Sequence, residues 1–394
     1  MKKICVLGNF SGRNMGDAAI LGGLLEDVSA LYPDASFIVP TIKPSFVRRA
    51  YSRYKVRPVS LMPWNLSLKI LGIPVFTSTL RSDIILVTDA ILFDRRLYDP
   101  THNYLLTLSY VLPLAHRRGI PIILYNMSLG PVKTRVGTSR LRRVLECCDL
   151  IITRDAESQD LARRLGVGEG KLRLGADCAL NIVPSSDERL QEILRRERFW
   201  TDGKPLVGFN INSYLDTDVR AGGKGVNRDY VLRVMSAVID RAISTFDVNA
   251  LLVITQPMDT AISTELMTRV KRSGRIKSIS NREHSPGDLA KVLSRCAIVT
   301  AMRTHCLILA SAMGTPVAGI VSYPKNRGYL RSIDMGDRLL EFDAFTEESL
   351  WQLVERTWRD REELRQRLRP AIEREKARAR ESAALLRPYI ARVT

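Results

Sequence analysis

The chain has 394 residues, too many for one ordinary core, and its 45% hydrophobic and 26% charged content excludes a disordered or fibrous protein. A formal net charge of +18 favours phosphates, anionic lipid head groups or nucleic acid without choosing among them, and a basic surface with no single partner fits as well. Six cysteines with no CxxC pair and no zinc-type Cys/His spacing exclude a recognisable zinc motif and read as small buried hydrophobes in a reducing compartment.

The chain opens on "KICVLGNF", whose apolar run is too short for a signal peptide and reads as a first strand. The loop after it, "GNFSGRNMGDAAIL", carries glycines at 8, 12 and 16, which let backbone approach a ligand. Its spacing is neither GxGxxG nor that of a P-loop, whose lysine it lacks. Gly12, Asn14, Gly16 and Asp17 are therefore candidate binding residues. From Asp17 to Tyr32, Ile20, Leu21, Leu24, Leu25, Val28 and Leu31 recur at helical spacing and predict a helix with one buried stripe.

Residues 42–76 interleave Arg48, Arg49, Arg53, Lys55 and Arg57 with Tyr51, Tyr54 and Trp64. That mixture suits an anionic membrane surface, and equally a basic helix followed by a buried strand. The longest apolar stretches, such as "YLLTLSYVLPLA" from Tyr104, fall short of the roughly 20 residues of a spanning helix, which predicts a cytoplasmic protein.

Further short β-branched runs follow: "DIILVTDA", "IPIILYN" and "DLIITRD", then "LVGFNIN", "ALLVITQ", "AIVTAM" and "PVAGIVS". Alternating with helical segments, they predict an α/β protein of two Rossmann-like domains with parallel sheets facing a central cleft. The expected boundaries are 1–184 and 205–345, joined by a charged, turn-rich stretch. Residues 346–394 are expected to form basic helices that pack back on the first domain, with Pro370 breaking or kinking them.

Arg154 follows the strand of "DLIITRD", and Arg303 and His305 follow that of "AIVTAM", so each group stands at the carboxyl end of a parallel strand, where ligands of open α/β sheets bind. The following helix starts and the arginine forks favour an anion. The plainer alternatives are an Arg154–Asp155 ion pair and a helix-capping or otherwise structural histidine.

These segments together resemble the polysaccharide pyruvyl transferase family: "GNFSGRNMGDAAIL", "SLGP" from Ser128, "ITRDAESQDLARRLGV" followed by "GAD" at Gly175, and "AMRTHCLILASAMGTPVAGIVSYPKNRGYL". The resemblance implies a glycosyltransferase B-like architecture and transfer of the pyruvyl group of phosphoenolpyruvate to sugar hydroxyls as a ketal. The acceptor would be a polysaccharide or a lipid-linked oligosaccharide of the cell envelope. Position by position it makes Arg154, Arg303 and His305 donor-site residues, and it sets Tyr323 and Lys325 near the family's Tyr and Lys positions. It calls for no metal or nucleotide cofactor.

The residue types suit that chemistry, since two arginines can hold a phosphate and a carboxylate while a histidine delivers a proton to the vinyl carbon. One departure stands out. Where family members tend to have a glycine triplet, this chain has Thr88-Asp89-Ala90, and Asp89 is either a base for an acceptor hydroxyl or a turn cap. Two alternatives stay open: sugar transfer from a nucleotide donor, with "VITQPMDT" as its faint signal, and a non-catalytic basic binding protein. No nucleic-acid recognition motif accompanies the charge.

Overall fold

The computed structural model describes residues 2–60, 73–88, 92, 97, 104–213, 227–321 and 324–391. The chain divides into two compact units. The first holds the residues up to Gly12, Asp17–Ile182 and the chain from Lys376; the second holds Arg13–Gly16 and Val183–Glu375.

The first unit is built on a seven-stranded sheet of β1 (Lys3–Leu7), β2 (Ser36–Thr41), β3 (Val56–Ser60), β4 (Ile84–Val87), β5 (Ile122–Met127), β6 (Leu150–Thr153) and β7 (Leu172–Leu174). The spatial order is β3-β2-β1-β4-β5-β6-β7, and neighbours run parallel throughout. All six residues of β5 are buried, as expected of a strand covered on both faces. β3 lies at the edge and carries Pro58, which an edge tolerates because it can leave one side of the ladder unpaired.

The second unit repeats the plan with β8 (Leu206–Asn210), β9 (Asn249–Ile254), β10 (Ile276–Ser280), β11 (Cys296–Ala301), β12 (Val317–Val321) and β13 (Leu339–Glu341) in the order β10-β9-β8-β11-β12-β13, again parallel. Its core runs from Val207 and Phe209 through Val231, Met235 and Ile239 to Trp351 and Val354. In each sheet the strand order reverses beside the first strand, between β1 and β4 and between β8 and β11. Such a switch point opens a crevice at the carboxyl ends of the strands.

The expected stripe helix spans Met15–Leu31, with Ile20, Leu21, Leu24, Leu25 and Val28 buried. A Cβ at Gly23 would meet the Cys178 carbonyl oxygen at 1.7 Å, so this helix passes too close to residue 178 for any side chain there. Residues 183–204 hold a helix, Asp187–Arg196, capped by Ser186. All six cysteines are buried and free, and burial pushes the Cys5 thiol up to about 12.

The break expected at Pro370 is absent, because the helix Arg361–Ala384 runs through it. Pro370 and Gln366, whose carbonyl loses its helical donor, both lie on the exposed face of the helix, where solvent is available to an unpaired carbonyl. Within the first unit the end of this helix is tied down by Ser382, which donates to Asn126 Oδ1 (2.8 Å), and Tyr389 beyond it donates to the Asp149 carbonyl (3.3 Å). No helix among the described residues is long and apolar enough to cross a membrane.

Candidate active site

In the second unit the strand–turn–helix after β11 carries Arg303 and His305. The helix Thr304–Ala312 is buried all round from Cys306 to Ala312 and ends before Gly314, whose φ of 78° is left-handed backbone that suits glycine. A helix so enclosed holds its first turn rigidly, and His305 is its second residue.

Two fully buried asparagines fix the backbone around Arg303. Asn210, at the end of β8, accepts the Arg303 N–H on Oδ1 (2.9 Å) and the Met302 N–H on its carbonyl (3.3 Å), while its Nδ2 donates to Val253 (2.8 Å). From the other side Asn326 donates to the carbonyls of Met302 (2.8 Å) and Ile320 (3.1 Å) and takes the Thr304 hydroxyl. The guanidinium is held as firmly. Nε and Nη2 donate to Asp259 Oδ2 and Oδ1 at 3.0 and 2.7 Å, and Asp259 is fully buried.

Residues 13–16, from the glycine-rich loop, belong to this unit and lie along the carboxyl ends of its strands. Met15 N–H donates to Thr255, which follows β9 (3.0 Å), and Asn281, which follows β10, donates to the Arg13 carbonyl (3.1 Å). Asn14 Oδ1 accepts the Gly16 N–H (2.9 Å). Gly16 then comes against the His305 imidazole so closely that a Cβ there would fall 2.1 Å from Nδ1. Asn14, Gly16, Arg303 and His305 are thereby brought to one sheet edge. Lys325, half-buried, is the second residue of the helix Pro324–Ser332, next to Asn326. Tyr323 and Asp89 lie outside the described residues.

In the first unit Arg154 follows β6 and donates to Asp177 Oδ2 at 2.6 Å, with Asp155 Oδ2 at 3.8 Å from its Nε. Asp155 is committed to capping the helix Ala156–Arg164 through the Ser158 N–H (2.7 Å), so the ion pair expected from adjacency is the weaker of the two. Gly12 has a φ of 73°, and a Cβ there would meet the Phe46 ring at 2.6 Å. Asp17 is buried next to Ala18, whose carbonyl accepts the Tyr51 hydroxyl (2.6 Å). Thr88 closes β4, with its N–H donating to Leu7 (3.0 Å).

Sequence reasoning did not find Asn210, Asp259, Asn281 or Asn326. All are buried polar residues near the carboxyl ends of the strands: Asn210 ends β8, Asn281 follows β10, Asp259 closes the short turn after β9 inside "VITQPMDT", and Asn326 lies in the first turn of the helix after β12.

The family model for polysaccharide pyruvyl transferase matches residues 14–323. The chain belongs to this family. The matched stretch contains Asn14, Gly16, Arg154, Arg303 and His305, with Gly12 just before it and Lys325 just after. Among solved structures, Anabaena HepE in complex with UDP-glucose is 15% identical with a TM-score of 0.61, covering 100% of this chain and 99% of its own. UDP-GlcNAc 2-epimerase from Neisseria meningitidis, bound to UDP-GlcNAc, is 10% identical at 0.68 and covers 100% of both chains. E. coli ADP-heptose LPS heptosyltransferase II is 13% identical at 0.53, covering 92% of this chain and 100% of its own. These likenesses establish the fold of the transferase, two parallel-sheet α/β domains.

Proposed function

We propose that this transferase moves the pyruvyl group of phosphoenolpyruvate onto two hydroxyls of a sugar in a polysaccharide or lipid-linked oligosaccharide, forming a cyclic ketal. Family membership supports the reaction class. The observation that carries the assignment of roles is the rigid first turn after β11, where Arg303 is fixed at backbone and head and His305 is set against Gly16.

In this reading Arg303 donates to an anionic end of phosphoenolpyruvate, and Arg154 keeps the donor-site role that the family resemblance gives it. Protonated His305 delivers its proton to the vinyl CH2, leaving a positive centre stabilised by the enol oxygen at the adjacent carbon. A sugar hydroxyl adds there and loses its proton to the neutral imidazole. A second hydroxyl then adds as the bond to the phosphate oxygen breaks, closing the ketal, and its proton leaves on the departing inorganic phosphate. Atoms balance with no metal, nucleotide or redox partner.

The acceptor's lipid carrier would bring the protein to the inner face of a membrane as a peripheral enzyme, and six buried thiols suit a reducing cytoplasm. On the first unit's edge Arg48, Arg49 and Arg57 are exposed and outside any ion pair among the described residues, whereas Arg53 pairs with Glu26 and Lys55 with Asp34. Three uncompensated cations support attraction to anionic lipid. Residues 61–72, with Trp64, lie outside the described residues.

The test is calorimetric titration with phosphoenolpyruvate beside UDP-glucose, followed by NMR detection of a pyruvate ketal on acceptor oligosaccharides. Phosphoenolpyruvate binding and a ketal methyl signal are expected. Binding of UDP-glucose alone would transfer the protein to the nucleotide-sugar reading.

A further inference from the structure

We propose that Asp259 is the positioning residue of Arg303, setting the angle at which the guanidinium meets an anionic group of the substrate. The inference rests on the reading given under Proposed function. Asp259 is fully buried between β9 and the helix Thr260–Arg269. Its Oδ2 takes Arg303 Nε (3.0 Å), and its Oδ1 takes both Nη2 (2.7 Å) and the Ser213 N–H (2.9 Å).

The fork-to-fork pair fixes the guanidinium plane, and the Ser213 N–H fixes the carboxylate. Asn210 and Asn326 hold the backbone of the same turn, so the side chain is fixed at both ends. Nη1 is the guanidinium nitrogen outside this pair, on the edge away from Nε.

Charge and geometry predict opposite effects for this carboxylate. Asp259 cancels the charge of Arg303, so if its role were electrostatic, removing its charge would tighten the binding of an anion. If its role is geometric, the same change weakens binding, because the guanidinium loses the plane in which its donors are aimed.

Asp259→Asn, which keeps volume and one acceptor, is titrated with phosphoenolpyruvate by calorimetry beside wild type, Arg303→Ala and the double variant. Circular dichroism melts confirm the fold. We expect Kd to rise about 10- to 100-fold in Asp259→Asn, with no further loss when it is added to Arg303→Ala. Asp259→Glu keeps the charge but advances it by one methylene, and we expect it to weaken binding too; it serves if the Asn variant does not fold.

Unchanged or tighter binding in either Asp259 variant, or additive losses in the double variant, would overturn the positioning role and leave the proposed function standing. If wild type itself binds no phosphoenolpyruvate, the proposed function falls and this inference with it.

Discussion

The Cα of Gly16 lies against the imidazole of His305, and a methyl group placed on it would stand 2.1 Å from Nδ1 and 2.3 Å from Cγ. No rotation of a methyl relieves such an approach, so the ring would have to move. Gly16→Ala is therefore expected to keep the fold but displace His305, lowering kcat about 100-fold. Steady-state ketal formation, with a melting curve beside it, checks this. A fully active alanine variant would mean the ring position is not critical.

His305→Gln removes the proton donor while leaving a polar side chain of similar reach. A loss of about 100- to 10,000-fold in kcat is expected, with phosphoenolpyruvate affinity nearly unchanged. Arg303→Lys should do the reverse in emphasis. Its ammonium cannot make the fork to Asp259, so KM for phosphoenolpyruvate should rise more than kcat falls.

The α/β class was legible because parallel strands covered on both faces are continuous apolar runs, and eight of the thirteen strands among the described residues read that way, whereas β3, β7 and β10 carry charged or polar residues. The Arg303–His305 turn was legible for a related reason: a polar pair directly after such a run must stand at a strand's carboxyl end. What supports the pair was not. Asp259 is 44 residues from Arg303 and Asn210 is 93, and no local pattern tells a buried asparagine that holds a turn from one on the surface. The helix passes Pro370 unbroken because the penalty for proline presumes a carbonyl with no alternative donor, and Gln366 is exposed.

Arg154 and Asp177 are 12% and 5% exposed at the side chain, so this pair is screened far less than the surface bridges elsewhere in the chain. Arg154→Ala leaves Asp177 buried without its closest cation, and a loss of about 3–5 kcal/mol is expected in urea unfolding. Arg154→Met combined with Asp177→Asn should recover most of that, because neither charge then remains to be desolvated and the Asn oxygen still accepts the Ala179 N–H. If the single variant matches wild type, the bridge does not hold this strand end.

Asp27 gives a pH dependence with a definite sign. It is buried on the helix Met15–Leu31, where Asn181 Nδ2 donates to its Oδ2 (2.9 Å) and also to the Lys376 carbonyl (3.1 Å). Burial pushes its carboxyl up from 3.8 to about 7, against the Asn181 hydrogen bond and the charge of Arg380, with Glu26 adding to the rise. Between those two values the folded chain keeps a proton that the unfolded chain has released. Folding therefore binds protons there, and stability falls as pH rises through the interval, levelling off above about 7. Asp27→Asn has no charge to desolvate and keeps an acceptor for Asn181. Its stability advantage should be small near pH 4, grow to a few kcal/mol, on the order of 4 at most, by pH 8, and stay there. Melting temperatures of the two proteins across pH 4–8 measure this directly. A constant difference would mean that Asp27 does not titrate in that interval.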